Sequence, residues 1–169
     1  MKTELAKFTI PFIARVLPRP RLFRLLDQTR KSQPIVWIAG PPGSGKTTLV
    51  TSYISTKNIS CLWYRIDEGD ADLASFFYYI GIAATHRNRR KKHSLPNFSS
   101  NFFPSGLSRF TRRFFREMFK DQNGPLVVVF DNYHEVPQDS ILHRVIREGI
   151  EESPPGCHTI IISRTPPSQ

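Results

Sequence analysis

Apolar residues along this chain cluster into short runs and spaced stripes, and the two patterns alternate. Pro34-Ile-Val-Trp-Ile-Ala39 is a continuous apolar run bounded by proline and glycine. That pattern predicts a strand buried on both faces. Leu49, Val50, Tyr53 and Ile54 follow at helical spacing, predicting a helix over about Lys46–Ser55. Ser60–Ile66 is a second strand candidate. Asp72 can cap a helix carrying Leu73, Phe76, Phe77, Ile80 and Ile82. Leu107, Phe110, Phe114, Phe115, Met118 and Phe119 form a third helical stripe with arginines opposite, which reads as core packing. Leu126–Phe130 is the most apolar run; a helix around Ser140–Glu151 and a strand Thr159–Ile162 complete the alternation. Strand and helix in turn predict an α/β fold with a parallel sheet.

Two regions break the pattern. Phe8–Arg21 is rich in Pro and Arg and reads as an extended arm, followed by a short amphipathic helix through Leu22, Phe23, Leu25 and Leu26 to about Thr29. Together they make residues 1–33 an arm and short helix, and 34–169 the main domain. Within it, 86–104 holds a basic run (Arg87, Arg89, Arg90, Lys91, Lys92) and a Ser/Asn/Pro stretch, the pattern of a mobile loop.

Composition narrows the classes. With 39% hydrophobic and 22% charged residues, the chain's 169 positions suit one packed domain. The formal charge of +10 favours polyanionic partners, whether nucleotide, nucleic acid or an acidic protein face, and equally suits a solvated basic surface. Cys61 and Cys157 have no nearby cysteine partner and read as small core residues. No apolar run suits a membrane span or a signal peptide, so a cytoplasmic location is expected.

The chemistry lies in Gly40-Pro41-Pro42-Gly43-Ser44-Gly45-Lys46-Thr47, which fits G-x-x-x-x-G-K-[ST] with a buried strand before it and a helix after it. Glycines at 43 and 45 let the backbone wrap phosphates, and successive N–H groups at the helix start point at the anion. Lys46 reaches the β- and γ-phosphates, and the Thr47 hydroxyl suits Mg²⁺. Asp131, ending the 126–130 run, is placed to hold the same Mg²⁺. Asn132 follows where many P-loop ATPases carry a second acid. An amide orients water and cannot accept its proton, so slow or absent turnover is expected. Glu135 lies nearby at an unusual spacing. Arg164, just past the 159–162 run, faces the γ-phosphate if that strand lies between the other two; otherwise it is a surface arginine.

Taken together, these motifs resemble the STAND class of signal-transduction ATPases, in particular the nucleotide-binding domain of MalT-like, LuxR-type bacterial transcription activators. The residues that carry the resemblance are Leu17-Pro-Arg-Pro-Arg-Leu22, Gly40–Thr48, Trp63-Tyr-Arg-Ile-Asp-Glu-Gly-Asp70 with Phe76-Phe, Phe130-Asp-Asn-Tyr-His-Glu135 and Ile162-Ser-Arg-Thr-Pro-Pro167. The resemblance implies a three-layer αβα domain of ASCE/STAND type, with strand order 5-1-4-3-2 in the class and 1-4-3-2 assignable here, the fifth strand missing. It implies ATP or ADP with Mg²⁺ as ligands and an arm near Arg19, Arg21 and Leu22 bordering the adenine. Gly40–Thr48 would form the phosphate cradle, Thr47 and Asp131 the metal ligands, and Arg164 a first sensor. Catalysis, if slow, would rest on Lys46, Asp131 and Asn132. Relatives commonly carry Asp-Asp where this chain has Asp131-Asn132. The expected function is an ATP-binding regulatory switch of a transcriptional regulator. Contact with DNA would run only through an output domain outside the chain, and a protein partner or missing C-terminal domains would cover the first strand. The sequence reads as a fragment or a truncated reading frame of such a protein. The alternatives are a small P-loop kinase, with 87–92 imitating a lid, and a basic nucleic-acid-binding protein, for which no recognition motif is visible.

Overall fold

In the computed structural model, residues 6–13, 17–87, 95–99, 105–120 and 124–167 are described. The regular elements are α1 (Pro20–Ser32), β1 (Ile35–Ala39), α2 (Lys46–Thr56), β2 (Cys61–Arg65), α3 (Leu73–Arg87), α4 (Leu107–Phe119), β3 (Leu126–Asp131), α5 (Leu142–Glu151) and β4 (Cys157–Ser163). All four strands pair in parallel, in the order β1-β4-β3-β2. This is an α/β P-loop NTPase fold, with the strand order expected from the sequence. Among the described residues β1 pairs only with β4 and forms one edge; β2 forms the other.

The chain divides into two compact units. The first comprises Met1–Ile66, Pro125–His134 and Gly156–Gln169, and so contains the whole sheet with α1 and α2. Its register puts Val36 beside Ile160, Ile38 beside Ile162, Cys61 beside Val127, and Trp63 beside Val129. Side chains alternate across a strand, so these residues share one face. That face packs with Val50, Tyr53 and Ile54 of α2 and with Phe23 and Leu26 of α1. β3 is buried along its entire length, which accounts for its unbroken apolar run.

The arm departs from the extended reading at its end. Pro20 opens α1 instead of interrupting it, because proline at a first helical position gives up an N–H that would have no partner there. Residues 14–16 of the arm lie outside the described residues. So does most of the loop expected over 86–104, at 88–94 and 100–104, including four of its five cations.

The second unit, Asp67–Gly124 with Glu135–Pro155, holds α3, α4 and α5. Asp72 caps α3 as expected, accepting from the Ser75 N–H at 3.0 Å. The α4 stripe is core: Phe110, Phe114, Phe115, Met118 and Phe119 are all buried. Phe77 sits within 5.2 Å, ring centre to ring centre, of Phe98, Phe110 and Phe114. On the other side of α4, Arg112 and Arg116 pair with Glu151 and Glu152 of the α5 end.

Candidate phosphate-binding site

The loop from Gly40 to Gly45 leaves the carboxyl end of β1 and enters α2 at Lys46. Gly43 and Gly45 hold φ of +74° and +79°, the left-handed region that side chains resist. The Ser44 N–H turns back to the Pro41 carbonyl at 3.3 Å. Lys46 Nζ donates to the Gly40 carbonyl at 2.6 Å, the Pro41 carbonyl at 2.8 Å and Ser44 Oγ at 3.3 Å. Its ammonium is therefore held over the loop, where a phosphate would exchange for the carbonyls.

Asp131 meets this loop. Thr47 Oγ1 donates to its carboxylate at 3.1 Å and 3.3 Å, joining residues far apart in sequence at the first turn of α2. The Asn132 N–H also donates to Asp131 Oδ1, at 2.9 Å. Asp131 is buried, and burial pushes its carboxyl above the usual range; the bonds from Thr47 and Asn132 and the charges of Arg65 and His134 pull the other way. A hydroxyl and a carboxylate in contact offer hard oxygens of the kind Mg²⁺ takes, few in number as is usual for a Mg–nucleotide site. The residues fit that ion. Asn132 stands at φ +60°, a conformation that asparagine adopts more readily than most residues.

Several arginines belong to the same unit. The Arg19 guanidinium lies against Gly45, with Nη2 3.3 Å from where a Cβ on that glycine would stand. A cation beside the positive end of α2 makes the mouth of the loop strongly attractive to anions. Arg65 ends β2 directly across from Asp131 in the register. Arg164 follows Ser163 at the end of β4, between β1 and β3, and is exposed. Arg21 and Leu22 lie in the first turn of α1.

Sequence reading missed Arg65 and Trp37. Arg65 becomes relevant only once β2 is known to pair with β3. Trp37 donates its indole N–H to the Thr165 carbonyl at 3.0 Å and meets the Tyr133 ring edge-on at 5.1 Å. A tryptophan in a short edge strand, with a polar group needing a partner, was the available signal.

The family model described as "Nephrocystin 3, N-terminal" matches residues 16–164, nearly the whole described chain. The chain belongs to this nephrocystin-3 N-terminal family. Among curated proteins, this family member is 33% identical over 131 residues to the HTH-type transcriptional regulator MalT of Yersinia pestis (strain Pestoides F). It is 31% identical over 130 residues to MalT of Yersinia enterocolitica. These alignments cover 76% and 75% of the chain, and 14% of each relative. The chain thus spans about one seventh of the length of the MalT relatives it matches. The MalT-like resemblance drawn from the motifs is borne out. Among the described residues no helix is long and apolar enough to cross a membrane.

Proposed function

We propose that this chain is the ATP-binding regulatory module of a MalT-like transcriptional regulator, a switch between ATP and ADP with slow or absent hydrolysis. The observation that carries this reading is the Thr47–Asp131 hydrogen bond, which brings the P-loop hydroxyl to the acid of β3. Backbone amides over Gly43–Thr48 and the Lys46 ammonium would bind the β- and γ-phosphates, with Gly40–Pro42 shaping the loop. Arg19 would close the anion site from the arm side, with Arg21 and Leu22 nearer the base. Thr47 and Asp131 would hold Mg²⁺, which would supply charge neutralisation to the phosphates. Arg164 would face the terminal phosphate and so distinguish triphosphate from diphosphate. Asn132 orients water without taking its proton, which keeps turnover slow and lets the bound nucleotide act as a state marker.

Titration of the chain with ATP and ADP, with and without Mg²⁺, tests this. Lys46→Ala is expected to weaken both by at least tenfold, about 1.4 kcal/mol or more. Unchanged affinity removes the P-loop from the function. Rapid phosphate transfer to a small acceptor replaces the switch with a kinase.

A further inference from the structure

The geometry points to Trp37 as a positioning residue that ties the loop after Asp131 to the loop bearing Arg164, and so sets how well the site tells ATP from ADP. This rests on the reading of Arg164 as the residue facing the terminal phosphate.

Trp37 is the middle residue of β1, and its alternation puts it on the sheet face opposite Val36 and Ile38. From there it reaches two other strand exits. Its indole N–H donates to the carbonyl of Thr165, the residue after Arg164. Its ring packs edge-on, at 73°, against Tyr133, two residues after Asp131. Tyr133 is buried, and burial pushes its phenol up to about 12, so it packs as a neutral ring. Thr165 is held from a second side as well: its N–H donates to Ser163 Oγ at 3.2 Å, and Ser163 is buried. Both backbone polar groups of Thr165 are thus tied down, although Thr165 itself is exposed. Arg164 lies between Ser163 and Thr165 and has little backbone freedom while both bonds last.

Two consequences follow. A terminal phosphate finds the Arg164 backbone already positioned, so its binding is not charged the entropy of ordering that turn. A displacement of the Arg164 backbone when the terminal phosphate is absent strains the Trp37 bond, and through the Trp37 ring is felt at Tyr133 beyond Asp131. Trp37 is half-buried while Trp63, the other tryptophan, is 2% exposed, so a charged quencher in water reports on Trp37 alone.

The test uses the full chain. Affinities for ATP and ADP are measured with Mg²⁺ for wild type, Trp37→Phe, Tyr133→Leu and Arg164→Ala. Trp37→Phe keeps a ring against Tyr133 and loses the donor. It is expected to lower the ATP preference over ADP about fivefold, as loss of one hydrogen bond would, while leaving ADP affinity within twofold. ADP binding is also the internal measure that the variant is folded. Arg164→Ala should abolish the preference, and adding Trp37→Phe to it should cost nothing more. In the wild type, iodide quenching should differ between the ATP and ADP complexes, a readout that needs no variant. An intact preference in Trp37→Phe, or identical quenching in the two complexes, overturns the inference and leaves the Arg164 reading standing if Arg164→Ala still loses its preference. An intact preference in Arg164→Ala overturns both.

Discussion

Asp131 carries two opposed demands. As a metal ligand it must be ionised, and as the last residue of a fully buried strand it is taken out of water. Its folded-state pKa stands above the usual 3.8, so its contribution to stability is favourable only at low pH and is lost as pH rises through the folded value. At neutral pH the ionised group therefore costs the apo protein stability. Asp131→Asn keeps an acceptor for Thr47 and removes that cost. Thermal melts should show the apo variant more stable than wild type, with the added protection from Mg–ATP over ATP alone lost. A variant that melts lower and keeps its Mg²⁺ response would show that Asp131 is structural. Asn132 illustrates a different economy: one residue satisfies a left-handed backbone and supplies an N–H to Asp131.

At the scale of elements, α1 is clasped to α2 by a polar cluster. Tyr53 Oη donates to Asp27 at 2.6 Å, Arg30 donates to Tyr53 Oη at 2.8 Å, and Lys57 pairs with Asp27 at 2.8 Å. Lys57 first, then Tyr53, holds the Asp27 carboxyl below 3.8. A depressed carboxyl stabilises above its unfolded value, and that part is lost as pH falls through the folded one. Acid titrations below about pH 4 should therefore show a steeper loss of stability in wild type than in Asp27→Asn; equal slopes would remove the clasp. In the other unit, a Cβ on Gly149 of α5 would collide with the Phe115 ring. Gly149→Ala is expected to cost about 1–3 kcal/mol in denaturant unfolding, against the usual gain from alanine in a helix.

The elements themselves were largely legible. Apolar runs between Pro and Gly located β1 to within a residue, and the spacing of Leu107 to Phe119 located α4 without error. The start of α1 was misread because proline is both a helix breaker and a good first residue, and the sequence alone does not say which. The P-loop and Asp131 were visible as motifs, and their meeting through Thr47 followed from the fold. The clasp, Arg65 and Trp37 were not visible. Each depends on a pairing between residues distant in sequence, and polar partners carry no periodicity to betray it.

Across the whole molecule, the formal charge of +10 gives long-range attraction to anions, so nucleotide association should slow as salt rises. Stopped-flow binding at several ionic strengths measures this, and a flat profile would mean that the basic residues do not steer. The sheet has a second consequence. Among the described residues β1 is bonded along one side only, and Ile35 on it is 37% exposed. A strand with an open row of amides and carbonyls is a template for another strand. Sedimentation of concentrated samples should reveal self-association that Ile35→Lys reduces. The strand that delivers the phosphate loop then also governs how crowded a solution this chain withstands before it sticks to its own kind.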